Sequence, residues 1–146
     1  MKQVVVNAPG KLIISGEYNV IIDKPAIAVS VADLCNIKLT YNNKIDTVVI
    51  KLFNYQITQQ ATTTELKQQY SEIFLRYEHY INNQLAAEQI LLNKQKLVHL
   101  ILAKVLVDYG INLSKHGLQV EIYSNIPISY GLGSSASVVV GLLVAL

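Results

Sequence analysis

The chain has 146 residues, enough for one domain with a buried core and few for a two-domain enzyme. Hydrophobic residues make up 51% of it and charged residues 15%, which excludes an intrinsically disordered chain. The net charge is +2, the lysines are dispersed and Arg76 is the only arginine, so no basic patch is visible. We therefore expect neither nucleic acid nor a membrane surface as a partner.

A single cysteine, Cys35, makes an intramolecular disulfide impossible and gives no support for secretion. The N-terminal residues lack the long apolar stretch of a signal peptide. No apolar run reaches the roughly 20 residues that cross a bilayer. These observations predict a cytoplasmic protein.

Strand-like runs open the chain. Residues 3–7 and 12–15 are rich in Val and Ile, and Pro9-Gly10 between them predicts a sharp turn that joins paired strands. Residues 26–31 form a continuous run of small or β-branched side chains, which is typical of a strand covered on both faces. Apolar and polar residues then alternate over 37–41 and again over 48–52. This alternation predicts a hairpin that turns through Asn42-Asn43-Lys44.

Two helices are predicted in the middle of the chain. The first begins after a loop at 59–64, with a threonine as its N-cap, and the second ends at Gly110, which is suited to a left-handed cap. Apolar side chains recur at three- and four-residue spacing on one face of each: Leu66, Tyr70, Ile73, Phe74, Tyr77, Ile81 and Leu85 on the first, and Leu97, Ile101, Val105 and Tyr109 on the second. The three histidines, His79, His99 and His116, are scattered, so we expect no catalytic or metal-binding role for them. With strands and helices in this order, the fold class is α+β, with a mixed, largely antiparallel sheet and helices packed on one side.

A Gly- and Ser-rich stretch near the C-terminal end carries the strongest functional signal. Residues 118–123 alternate like a strand, residues 136–146 resemble an apolar helix, and Pro127 to Ser137 join them. A strand that leads through glycines into a helix N-terminus can hold phosphate, because the first-turn N–H groups are unpaired and the helix dipole is positive there. The serine hydroxyls could cap those groups, or bind Mg²⁺ or a phosphate oxygen.

Other interpretations of this stretch stay open from the residues alone. A tight turn followed by a capped helix has the same composition. Residues 131–136 also satisfy the Gly-x-Gly-x-x-Ala pattern of a dinucleotide-binding turn. A P-loop is absent, and a Gly-x-Ser-x-Gly elbow fails because Ser137 occupies the position of the last glycine.

A second stretch near the N-terminus completes a resemblance. Residues 8–20, Ala-Pro-Gly-Lys-Leu-Ile-Ile-Ser-Gly-Glu-Tyr-Asn-Val, are followed by Lys24-Pro25-Ala26-Ile27-Ala28. Together with residues 127–136 they resemble the GHMP small-molecule kinases, and within that superfamily the mevalonate kinases most of all. Both motifs come in the family's order, and the segment between them is about the family's length.

The resemblance implies a fold, an activity and a set of site residues. The fold is that of the GHMP kinase N-terminal domain, which is similar to domain 2 of ribosomal protein S5. The activity is transfer of a phosphoryl group from ATP, with Mg²⁺, to the hydroxyl of a small molecule, most of all mevalonate. Lys11 is then catalytic, Glu17 and Tyr18 bind substrate, and Ser135 binds the metal. The phosphates of ATP lie against Pro127, Gly131, Leu132, Gly133, Ser134, Ser135 and Ala136.

The sequence also departs from that family. Tyr18 stands where mevalonate kinases usually have histidine, which is more like phosphomevalonate kinase and keeps that enzyme or another GHMP kinase as the alternative. Ser129 and Tyr130 stand where the loop commonly has a glycine and a small residue. The family's catalytic aspartate and its glutamate metal ligand lie downstream of the serine loop, where only ten residues remain here. We therefore expect residues 1–146 to be the N-terminal, ATP-binding domain of a larger kinase, with little turnover alone.

Two hypotheses from other classes of protein remain. One is a fragment of a dinucleotide-binding oxidoreductase, which the Gly-x-Gly-x-x-Ala turn would fit. The other is a non-catalytic module that associates through the apolar surface of residues 138–146. A homodimer is compatible with the kinase reading, because mevalonate kinases are commonly homodimeric.

Overall fold

Five strands form one mixed sheet in the order β1-β2-β5-β3-β4. The computed structural model describes residues 2–43, 46–91, 93, 96–111, 113 and 116–146. The strands are β1 Gln3–Ser15, β2 Ile27–Asn42, β3 Val48–Leu52, β4 Ile57–Ala61 and β5 Gly117–Ser124. Adjacent strands are antiparallel except β3 and β5, which are parallel. The predicted mixed, largely antiparallel sheet is confirmed.

Three helices cover one face of this sheet: α1 Thr63–Ile81, α2 Lys96–Asp108 and α3 Ser134–Ala145. Alternate residues of the central strands are buried against them, as period-two burial requires: Cys35, Ile37 and Leu39 of β2, Val48, Ile50 and Leu52 of β3, and Leu118, Val120 and Ile122 of β5. On the opposite face, Glu121 pairs with Lys38 and Lys51 at N–O distances of 3.5 and 3.1 Å. One face of the sheet is therefore covered by helices and the other carries charged side chains, which confirms the predicted α+β class with helices on one side.

Both predicted helix signals are present. Thr62 is the N-cap of α1, and its side chain accepts a bond from the Glu65 N–H while Glu65 accepts one from the Thr62 N–H. Gly110 follows α2 with φ of +59°. The predicted loop was too long, because residues 59–61 belong to β4. Within the described part of the chain, no helix combines the length and apolar character needed to span a membrane.

The predicted turn at Pro9-Gly10 is wrong. β1 runs without interruption from Gln3 to Ser15, and only its register with β2 shifts between Pro9 and Lys11. β1 lies at the edge of the sheet, where a proline is tolerated because one side of the strand needs no N–H donor. The local signal therefore marked an irregularity in the β1–β2 ladder, whose extra residues lie on β2, and not a chain reversal.

The predicted hairpin between residues 37–41 and 48–52 is also wrong. β5 lies between these two strands, with Leu39 and Ile50 both opposite Val120. Residue 44 of the proposed turn lies outside the described residues. The expected cover on residues 26–31 is wrong as well, because Ile27 and Val29 are exposed although β2 begins there.

Candidate functional site

The loop between β5 and α3 turns through left-handed backbone conformations. Gly131 has φ of +74° and Gly133 has φ of +72°. Ser129 also has a positive φ, +68°, at a position where a glycine would carry no strain. Tyr130 is 77% exposed and is not among the residues that line the neighbouring pocket. The bulky residue noted in the sequence therefore points away from the pocket.

The start of α3 presents backbone donors. Gly133 is the N-cap, and no side chain of the described residues caps this end of the helix. The Ser137 N–H bonds to the Gly133 carbonyl at 2.9 Å, so the preceding N–H groups, from Ser134 to Ala136, lie before the first helical hydrogen bond. These groups and the helix dipole favour an anion at this position.

A pocket of about 330 Å³ opens onto these donors. One wall is the loop and the first turn of α3, including Pro127, Gly131, Leu132, Gly133, Ser134, Ser135 and Ala136. The other walls include residues that the sequence analysis did not connect with this site: Leu52, Asn54, Tyr55, Leu97, Val98 and Ile122. Its size lies in the range of small-molecule sites, and its walls are mostly apolar with a few polar groups.

Asn54 fixes the wall opposite the loop. Its side-chain amide donates to the Ser124 carbonyl, and its carbonyl oxygen accepts from the Ser124 N–H, both at 2.7 Å. The short turn Phe53–Tyr55 is thereby attached to the end of β5, just before the loop begins. An asparagine between two strand-like runs is an ordinary turn signal, so sequence reasoning could have marked the turn but not its role.

The N-terminal motif packs directly against the loop. The Lys11 N–H donates to the Leu132 carbonyl at 2.9 Å. A Cβ on Gly10 would lie 2.9 Å from that same carbonyl oxygen, and a Cβ on Gly133 would lie 2.8 Å from Lys11 Cγ. The two motifs therefore meet only because both positions are glycines, and the aliphatic stem of Lys11 crosses the start of α3.

Glu17 and Tyr18 lie elsewhere. They are exposed in the turn after Gly16, which has φ of +84°, and Tyr18 is 75% exposed. Neither lines the pocket beside α3, and Ser15, where β1 ends, is already about 13 Å along the strand from Lys11. The structure thus brings Lys11 to the loop and leaves the two predicted substrate residues on the protruding end of β1.

The described residues fit a nucleotide phosphate better than they fit a metal ion. Backbone donors, a lysine and the hydroxyls of Ser134 and Ser135 suit phosphate oxygens. Mg²⁺ usually takes one or two carboxylates as well, and within the described ranges no group of three or more His, Cys, Asp or Glu could hold a metal. Ser135 could therefore supply only one ligand of the set.

Comparison with known proteins points to one superfamily. Residues 96–146 match the family described as GHMP kinases N terminal domain. A mevalonate kinase of Thermococcus onnurineus is 28% identical over 138 residues, which cover 94% of this chain and 36% of that protein. A solved mevalonate kinase is 25% identical with a TM-score of 0.70, covering 97% of this chain and 39% of the other. The Methanococcus jannaschii mevalonate kinase is 24% identical with a TM-score of 0.71, covering 99% and 39%.

The chain thus spans less than half the length of these relatives. The family match covers only the C-terminal of the two motifs, whereas the sequence and fold matches cover 94% and 97% of the chain. The resemblance predicted from those motifs is confirmed, and the chain has the fold of the N-terminal domain of the GHMP kinases, with mevalonate kinase as a close likeness.

Proposed function

We propose that this chain is the nucleotide-binding part of an ATP-dependent kinase that phosphorylates the hydroxyl of a small molecule, with mevalonate as the first candidate substrate. The observation that carries the proposal is the contact between the two motifs. The aliphatic stem of Lys11 lies against Gly133, the N-cap of α3, although Lys11 is not itself among the residues that line the pocket.

The chemistry of phosphoryl transfer suits this arrangement. The transferred group passes through a state with charge spread over its oxygens, so catalysis depends on positioning and on charge neutralisation. The backbone of residues 131–136 would hold the phosphates of ATP, and the Lys11 ammonium would neutralise charge beside them. Mg²⁺ would screen the remaining charge, with Ser135 as one of its ligands.

The phosphate acceptor is proposed at the protruding end of β1, with Glu17 and Tyr18 as contacts. The exposed Tyr18 keeps phosphomevalonate as the second candidate, because a tyrosine there departs from the mevalonate kinase pattern. A dinucleotide-binding oxidoreductase is disfavoured by the sheet. That fingerprint belongs to mostly parallel sheets, whereas β5 is antiparallel to β2 and parallel only to β3.

We further propose that a longer, cytoplasmic protein supplies the catalytic aspartate and the glutamate metal ligand. The coverage of 36% to 39% of the mevalonate kinase relatives supports this. The native mass in the source cell tests it. A mass near twice the 16.2 kDa of this chain is expected, whereas a native mass of 16.2 kDa would leave a chain that a partner completes or one that binds without catalysing.

Nucleotide binding is tested by calorimetry on this chain with Mg²⁺ and a non-hydrolysable ATP analogue, with NAD as the comparison. We expect binding of the analogue, weakened by Lys11→Met and unchanged by Lys67→Met on the exposed side of α1. Binding of NAD alone would overturn the proposal. On the longer protein, ADP release with mevalonate and with phosphomevalonate then decides between the two acceptors.

A further inference from the structure

Ser137 is one of two buried polar side chains among the described residues, and it lies one turn inside α3. Its hydroxyl is 2.8 Å from the Pro9 carbonyl oxygen and 3.1 Å from the Gly133 carbonyl oxygen. A hydroxyl has one proton to donate. Because a bond back to the preceding helical turn is available to any helical serine, the shorter bond to Pro9 is the one that needs an explanation.

Pro9 lies where the β1–β2 pairing is interrupted. The register passes from Pro9 opposite Leu34 to Lys11 opposite Ser30, so Gly10 has no partner in the ladder. On either side of Gly10, the backbone is instead bonded to the other motif. The Pro9 carbonyl accepts from Ser137, and the Lys11 N–H donates to Leu132.

We infer that Ser137 is a positioning residue, which holds the Pro9–Lys11 segment of β1 against the first turn of α3 and so sets Lys11 beside the phosphate-binding loop. The bond joins residues 128 positions apart in the chain, and both of its ends line a second cleft together with Lys11 and Ala136. Ser137 itself does not line the pocket next to the loop. The inference rests on the proposed nucleotide site, since it names the residue that aligns its lysine.

A double-mutant cycle tests the inference in calorimetry with Mg²⁺ and the non-hydrolysable ATP analogue. Ser137→Ala is expected to weaken binding about fivefold, as for the loss of one neutral hydrogen bond. If the hydroxyl acts through Lys11, Ser137→Ala should have no further effect in a Lys11→Met background. Ser137→Thr keeps a hydroxyl and should restore most of the affinity.

The matched control is Ser71→Ala. Ser71 makes the same kind of bond to the preceding turn, to Lys67 at 3.1 Å, on a helix away from the site. We expect the Ser71→Ala variant to bind the ATP analogue as tightly as the unaltered chain does. If Ser137→Ala lowers affinity equally with and without Lys11, the hydroxyl stabilises α3 in general and the inference is wrong.

Amide hydrogen exchange gives a second measurement that needs no ligand. Ser137→Ala should accelerate exchange of the Lys11 amide at least about tenfold relative to amides of β3, because the Pro9–Lys11 segment loses one of its two bonds to the other motif. Absence of nucleotide binding in the unaltered chain would overturn the proposed function alone. Unchanged exchange at Lys11 would overturn the role of Ser137 whether or not nucleotide binds.

Discussion

Gly133 carries two constraints, one of conformation and one of space. Its φ is +72°, and a Cβ would lie 2.8 Å from Lys11 Cγ. Gly133→Ala is therefore expected to cost about 1–2 kcal/mol of unfolding free energy for the left-handed backbone. It should also lower affinity for the Mg²⁺-bound ATP analogue more than tenfold, because the methyl group displaces the lysine. Urea unfolding and calorimetry measure the two effects.

Gly110 has the conformational constraint without the spatial one. Its φ is +59°, but no atom lies within 4 Å of the Cβ that alanine would add. Gly110→Ala should thus lower stability by a similar amount and leave nucleotide affinity unchanged. Equal losses of affinity in the two variants would show that strain, and not the contact with Lys11, controls binding.

Asn54 is the residue whose loss should most directly change the far wall of the pocket. Asn54→Ala removes both bonds to Ser124, which are 2.7 Å long. We expect a loss of about 1–2 kcal/mol in unfolding free energy and weaker analogue binding, because Tyr55 is on the same turn. Asn54→Asp keeps the acceptor and loses the donor, so its effect should be intermediate. Calorimetry that finds full affinity for Asn54→Ala would show that the turn is held by other contacts.

At the scale of elements, His99 links a strand to two helices. Its ring nitrogens lie 2.9 Å from Gln69 Oε1 on α1 and 2.7 Å from Gln59 Oε1 on β4, while His99 itself is on α2. A neutral ring donates at one nitrogen and accepts at the other, so one of the two glutamines must turn its amide NH₂ toward the ring. This cluster thus connects α1, α2 and β4 through side-chain hydrogen bonds.

Protonation of His99 should destabilise the fold. Burial, and secondly the charge of Lys96, lower the pKa of His99 below its ordinary value of 6.5. As the pH falls through about 6.5, the unfolded chain binds the proton first, so the unfolding free energy decreases with acidification until the folded-state pKa is passed. Unfolding midpoints in urea, measured between pH 5 and 7.5, should rise with pH. His99→Gln should flatten this slope, and His79→Gln, at an exposed position, should leave it unchanged.

What the sequence could predict at this scale is which segments are regular. The burial of helix faces was predicted less well, because Phe74, Tyr77 and Ile81 of the apolar face predicted for α1 are exposed. The capping threonine, the helix-ending glycine and β5 all follow from local patterns. Strand partners do not, because alternation of apolar residues is the same whichever strand lies alongside. β5 pairs with β3 through residues 70 positions further along the chain, as Val48 with Leu118, which no local pattern at residues 42–44 could indicate.

At the scale of the whole molecule, only part of the candidate site could be predicted from the sequence, for the same reason. The loop and Lys11 were predictable, since each motif is contiguous and glycines mark close approach of the backbone. The opposite wall was not, because Asn54, Tyr55 and Leu97 come from separate segments that only the sheet order brings together. In the sequence, Ser137 was noted only because it occupies the last glycine position of a Gly-x-Ser-x-Gly pattern. Its contact with Pro9, which joins both ends of the chain, could not be predicted.

The outer face of α3 gives the last prediction. Leu142 is fully buried, whereas its neighbour Leu143 is 54% exposed beside the exposed Val140 and Val144. Leu142→Ala should cost about 2–5 kcal/mol in urea unfolding, and Leu143→Ala should stay within about 0.5 kcal/mol of the unaltered chain. Because contiguous exposed apolar groups favour association, the 146-residue chain should self-associate in sedimentation velocity as its concentration rises. Leu143→Glu should reduce that association without lowering stability, whereas a large loss of stability would show that this face of α3 is already covered within the domain.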